Sequence, residues 1–155
     1  MLFFMPTTPD PRSLKHKPIV LLPYEQYDGE YASDTDCLYL SLGWAQYDPR
    51  KISLKSMRHT GDKWSRLSEE LPVHRVVDCA TLLALTIEAT RKGGKTVVLP
   101  VGTLEHQDGE ISLRIETQTG ADFNSLHAQL TDPGLRNRLT KLTDALLALR
   151  EEGVV

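Results

Sequence analysis

Cysteine is scarce in these 155 residues: there are two, Cys37 and Cys79. Their spacing fits neither a zinc site nor a redox pair, so free thiols buried among apolar neighbours are expected, in a reducing compartment. Long apolar runs are also missing. No segment approaches the ~20 residues that a membrane helix needs, which excludes a spanning segment of that kind. The opening Met1-Leu2-Phe3-Phe4-Met5 has no basic region and is too short for a secretory leader, so a cytoplasmic location is the expectation. An excess of basic charge is lacking too. The net charge is −3 and the pI near 5.9, which argues against a bulk nucleic-acid coat protein or a polybasic membrane binder. The five histidines (16, 59, 74, 106 and 127) show no metal-binding spacing, and the acidic loop 25–36 lacks the alternating ligands of a calcium loop. No metal and no cofactor are expected.

What is present suits a globular chain. Apolar residues make up 40% and charged residues 25%. Four prolines between Pro6 and Pro18 predict an extended, loosely held arm over residues 1–18. Residues 19–155 read as a single α+β domain. Ile19 to Leu22 form a short strand that Pro23 ends. Leu38, Leu40, Leu42 and Trp44 then alternate with Tyr39, Ser41, Gly43 and Ala45, which is the period of a strand. Asp48-Pro49 turns the chain into a second strand over 51–59, and Thr60-Gly61-Asp62 turns it again toward a third over 64–69.

Pro72 marks a helix start. Val73, Val76, Val77, Ala80, Leu83, Ala84 and Ile87 form a stripe at helical spacing, widened by Leu82 and Leu85, so a central buried helix is expected. It ends near Gly93-Gly94. A second hairpin follows, with Val97, Leu99 and Val101 against Ile111, Leu113 and Ile115. Residues 121–130 suggest a short helix, and Asp132-Pro133 supplies the cap and first-turn proline of a last one. The fold class is therefore α+β: an antiparallel sheet of about five to six strands with a central helix and C-terminal helices. Leu135, Leu139, Leu142, Leu146 and Leu149 step by four and three. That seam packs into the core or joins two copies of the chain as a homodimer.

Chemistry concentrates between residues 50 and 75. Arg50, Lys51, Lys55, Arg58, Lys63, Arg66 and Arg75 face only Asp62, Glu69 and Glu70 there, a basic excess in an acidic chain. The leading expectation is a small binding protein for an anionic ligand, either a nucleotide or single-stranded nucleic acid. Lys55, Arg58, Lys63, Arg66 and Arg75 would meet phosphate, His59 and His74 would add donors, and Trp44 or Trp64 would stack on a base. The ordinary alternative is a solvated face in which Glu69 and Glu70 pair with Arg66 and Arg75. An enzyme is the runner-up: a phosphate-ester hydrolase or nuclease using His59, His74 and Glu69 or Glu70, with Asp78 four residues after His74 on the same helical face. Neighbouring Glu69 and Glu70 would point to opposite faces of a strand, so only one could enter a given pocket. A protein-interaction role for the leucine seam is the third reading. Gly94-Lys95-Thr96 is similar to the tail of a phosphate loop, but Ala89 stands where glycine is required and a helix precedes where a strand should.

The block Arg58-His59-Thr60-Gly61-Asp62-Lys63-Trp64-Ser65-Arg66-Leu67-Ser68-Glu69-Glu70-Leu71-Pro72-Val73-His74-Arg75 resembles the signature of a family of small uncharacterised bacterial proteins, of the form RHTGxKWSRxSEELPxHR. The resemblance implies no activity and lends no functional residues. In element order alone, antiparallel strands followed by a helix are similar to the single-stranded-nucleic-acid-binding domains of the transcription-coactivator and Whirly type. Order does not fix function.

Overall fold

A computed structural model of the chain describes residues 10–66, 68–115 and 120–155. Among these residues there are six strands and three α-helices, and the strands form a four-stranded and a two-stranded antiparallel sheet. The chain divides into two compact units, Met1–Val77 and Asp78–Val155, where the sequence reads as one domain over 19–155.

The first unit is a meander of β1 (Lys17–Pro23), β2 (Cys37–Trp44), β3 (Ile52–Arg58) and β4 (Glu70–Pro72), in that order across the sheet. The β2–β3 turn forms at Asp48-Pro49 as the sequence implies, with the Asp48 carboxylate accepting from the Arg50 amide. The third strand differs from expectation. Among the described residues of 64–69 there is only a bridge between His59 and Trp64, and pairing with β3 is found from Glu70. The Ser68 hydroxyl donates to the Ser65 carbonyl, which holds a turn where a ladder was expected.

The alternation along β2 is realised, but the buried face is the polar one. Ser41 and Ser53 are fully buried, Met57 is their apolar neighbour in β3, and Lys55 is 5% exposed. Register explains the arrangement: Ser41 lies opposite Lys55, and Lys55 opposite Glu70. One row across three strands therefore carries a hydroxyl, an ammonium and a carboxylate on the same face. The other face carries Val20, Leu22, Trp44 and Leu71, each partly exposed.

The proline-rich arm is not loosely held where it is described. Asp10 caps a 3-10 turn at Pro11–Ser13, Pro11 is buried, and His16 is 0% exposed. Residues 1–9 lie outside the described residues. The strand that follows starts at Lys17, before the apolar run, because the chain is pinned there by hydrogen bonds to the His16 ring and not by hydropathy.

The second unit holds most of α1 (Val73–Arg91), then β5 (Thr96–Leu99), β6 (Ile111–Arg114), α2 (Gly120–Leu130) and α3 (Pro133–Glu151). The central helix is present, although along it only Thr90 is fully buried. Its end is a glycine cap: Gly93 sits at φ 71° and the Gly94 amide donates to the Ala89 carbonyl. Val97 and Leu99 are buried, and an apolar cavity of about 350 Å³ opens between Leu82, Leu99, Ile111 and Leu113. Asp132 accepts from the amides of Gly134 and Leu135 and starts α3 as its sequence predicts. On α3 the seam residues Leu142, Leu146 and Leu149 remain 44%, 48% and 38% exposed. Cys37 is buried as expected; Cys79 is exposed, because it lies on an open side of α1.

Gly43 is the position at which the arm and the sheet touch. A Cβ there would stand 2.2 Å from the Lys17 carbonyl oxygen and 2.9 Å from His16 Nε2. Backbone cannot yield to a contact that short, so glycine is needed for close approach. Gly43→Ala is expected to destabilise the first unit by about 1–3 kcal/mol, the usual range for overpacking. A lowered urea midpoint with an unchanged slope would show it, and an unchanged midpoint would contradict the close approach.

Candidate functional site

The buried polar row and the arm meet at one carboxylate. Glu70 Oε1 lies 3.0 Å from His16 Nδ1, accepts the Ser53 hydroxyl at 2.7 Å, and accepts the Gln46 amide at 3.0 Å. Burial pushes Glu70 upward, but hydrogen bonds from Ser53, Gln46 and His16 outweigh it and hold the carboxyl below the usual range. An ionised carboxylate only accepts, so His16 Nδ1 carries the proton. Nε2 then accepts the Ser41 hydroxyl at 2.9 Å. Burial drives the imidazole below 6.5, against the opposing influence of Glu70 and with the help of Lys55's charge.

Lys55 Nζ stands 3.7 Å from Glu70 Oε2, with the two side chains 3% and 5% exposed. Oε2 is buried without a hydrogen-bond partner, and the ammonium stands beyond hydrogen-bond distance of it. Lys55 borders a cavity of about 550 Å³ whose wall includes Lys15, His16, Gln46, Tyr47, Lys55 and Arg66. None of its lining residues is a carboxylate. Lys15 and Arg66 are exposed and make no ion pair among the described residues.

Ser41, His16 and Glu70 stand in the hydrogen-bonded order of a nucleophile relay. Ser41 is 0% exposed and is not part of the cavity wall. Both ring nitrogens of His16 are spent on interior partners. The relay therefore offers no nucleophile or base to a molecule in the cavity.

Of the residues singled out from sequence, Lys55 and Arg66 come together here, with Glu70 beneath them. The others do not join them. Arg58 lies on the opposite face, held by two hydrogen bonds to Asp36 and an ion pair with Glu69. Those hydrogen bonds keep Asp36 below the usual range. The cavity around Arg58, about 720 Å³, is lined by Asp28, Asp34, Asp36 and Glu69, so it is acidic. Glu69 accepts from Ser56 and forms an ion pair with Arg58, and Glu70 is hydrogen-bonded by His16, Ser53 and Gln46 and forms an ion pair with Lys55; among the described residues neither pairs with Arg66 or Arg75 as the solvated-face alternative holds. Trp64 packs edge-on against His59, with ring centroids 5.0 Å apart, and against Tyr39. Trp44 is exposed on the face away from Lys55. Lys63 is exposed in a turn, and His74 and Arg75 are exposed in the first turn of α1. Asp78 belongs to the second unit.

The sequence reading missed His16 and Lys15. A histidine between two lysines, Lys15-His16-Lys17, was the available signal, since three basic groups in a row are unusual in an arm with nothing to bind.

A family model matches residues 8–149 and so includes both the arm and the row beneath it. The chain belongs to DUF6530, a family of unknown function. No curated protein and no solved structure matches it. In this DUF6530 chain every residue of the cavity wall lies within the matched stretch.

Removing one partner of a buried ion pair strands the other. Glu70→Ala is expected to cost about 3–5 kcal/mol, measured by urea unfolding; a loss near that of a surface pair would mean that the cluster is solvated. The pH dependence has a definite sign. The folded values of His16 and Glu70 are both depressed, so their stabilisation is present above the unfolded values and is lost as pH falls. Loss begins below 6.5 for His16 and continues below 4.5 for Glu70. Each such proton contributes a slope of up to about 1.4 kcal/mol per pH unit. His16→Gln should flatten the curve between pH 7 and 5, and parallel curves would contradict the buried neutral imidazole.

Proposed function

We propose that this protein binds a small anionic molecule in the cavity walled by Lys15, His16, Lys55 and Arg66. The observation that carries the reading is a concave site with three lysine or arginine side chains and no carboxylate on its wall, in a chain of net charge −3. Its volume, about 550 Å³, lies within the ordinary range for small-molecule sites. Tyr47, 54% exposed at the wall, offers an aromatic surface for a base or sugar ring.

A nucleotide-sized ligand is favoured over single-stranded nucleic acid by the placement of the cations. A strand needs basic groups that track its backbone, yet Lys55 and Arg58 occupy opposite faces of β3 and Arg58 is already tied to carboxylates. Binding is favoured over hydrolysis because the histidine of the cluster has no free ring nitrogen.

AMP, inorganic phosphate and citrate, added singly at low ionic strength, are the test. At least one is expected to raise the melting temperature, because a ligand selective for the folded state stabilises it. Arg66→Gln should weaken that ligand about tenfold, the scale of a lost charge-assisted hydrogen bond. A melting temperature unmoved by all three would end the proposal.

A further inference from the structure

The cavity has two ends of different electrostatic character. At the inner end, Lys55 is 3% exposed and is compensated by Glu70 at 3.7 Å, while His16 is held neutral between Glu70 and Ser41. The charges there sum to zero. At the outer end, Lys15 and Arg66 are exposed and uncompensated among the described residues. A phosphate gains most where positive charge is unbalanced, so its place is between Lys15 and Arg66. At the inner end it would meet an ammonium whose field is largely cancelled by the carboxylate behind it.

The inner end still asks for a partner. A lysine ammonium has three donors, and Lys55 stands 3.7 Å from Glu70 Oε2, too far to donate to it. Lys55 lines the cavity, so an uncharged oxygen there accepts from it without bringing a second negative charge toward Glu70. A hydroxyl or carbonyl oxygen meets this requirement. The volume, about 550 Å³, leaves room for both parts, since inorganic phosphate alone would occupy only a fraction of it.

From this geometry we infer that the ligand is a phosphomonoester of a hydroxylated molecule, a sugar phosphate or mononucleotide, seated with its phosphate outward on Lys15 and Arg66 and an uncharged oxygen inward on Lys55. The inference rests on the anion-binding reading of the same cavity and adds the ligand's class and direction. No bond is made or broken.

Calorimetric titrations of the full chain with ribose 5-phosphate, AMP, inorganic phosphate, citrate and ribose test it. A phosphomonoester is expected to bind at least tenfold more tightly than inorganic phosphate, with ribose weaker than both. Arg66→Gln should weaken inorganic phosphate and the phosphomonoester by the same factor. Lys55→Met with Glu70→Gln, which keeps the inner end uncharged, should erase the advantage of the phosphomonoester and leave inorganic phosphate unchanged. If that variant does not fold, the ligand series on the parent stands without it. Equal affinity for inorganic phosphate and both phosphomonoesters, or a loss in the double variant as large for inorganic phosphate as for the ester, overturns the inference while leaving anion binding intact. No binding of any phosphate by the parent, with citrate bound, overturns the inference alone. Silence with every anion overturns both.

Discussion

The first unit depends on how a single buried carboxylate is satisfied. Glu70 takes hydrogen bonds on one oxygen from the arm, from β3 and from the β2–β3 turn, and faces Lys55 with the other. A carboxylate in a low-dielectric interior is tolerated only with such partners, because its desolvation cost is large. Each donor comes from a different stretch of chain, so satisfying the charge fixes three segments at once. The arm is seated by His16, the turn by the Gln46 amide, and β4 by its own Glu70. A strand of three residues has little ladder to hold it, and the carboxylate supplies the anchor that the ladder does not.

Such a cluster is an uncertain source of stability, since well-packed apolar residues often serve as well. What it supplies is uniqueness. Slipping β4 by one residue would put Glu69 on the buried face, where Ser53 and His16 would meet the wrong side chain, and would turn Glu70 into solvent. Gly43 contributes to the same selection. It leaves no Cβ under the arm, so His16 approaches the sheet closely enough to accept from Ser41. Polar row, glycine and histidine are therefore one device.

Much of this architecture is legible in the chain itself. The alternation over 38–45, the Asp48-Pro49 turn, the helix start after Pro72, the glycine stop at 93–94 and the Asp132 cap are local signals, and the structure realises each. Opposite facing of Glu69 and Glu70 also follows from strand period alone. The site is less legible, because its members are distant in sequence: His16 and Glu70 are separated by 54 positions. Counting charges along 50–75 groups Lys55 with Arg58, yet three steps along a strand reverse the face, and one enters a basic cavity while the other enters an acidic one. Hydropathy misleads for the same stretch, since the serines, lysine and glycine look like the solvent side of β2 and β3 and are the buried side. Only the partners they find across the sheet make that burial affordable.

The same network decides what kind of chemistry the cavity can perform. General acid–base work needs a titrating group with a nitrogen or oxygen within reach of the ligand. His16 gives both nitrogens to the interior, Ser41 is fully buried, and Glu70 is not on the cavity wall and gives one oxygen to three donors. What reaches the cavity is a lysine held in place by its buried neighbours, with hydrogens to give and little net charge to offer. Under the proposed reading, recognition by such a group would be directional. A donor fixed before the ligand arrives loses little conformational freedom on binding, whereas exposed Lys15 and Arg66 must be ordered and are screened by salt. Long-range attraction would then belong to the exposed cations and selectivity to the buried one, a division that follows from where burial places each.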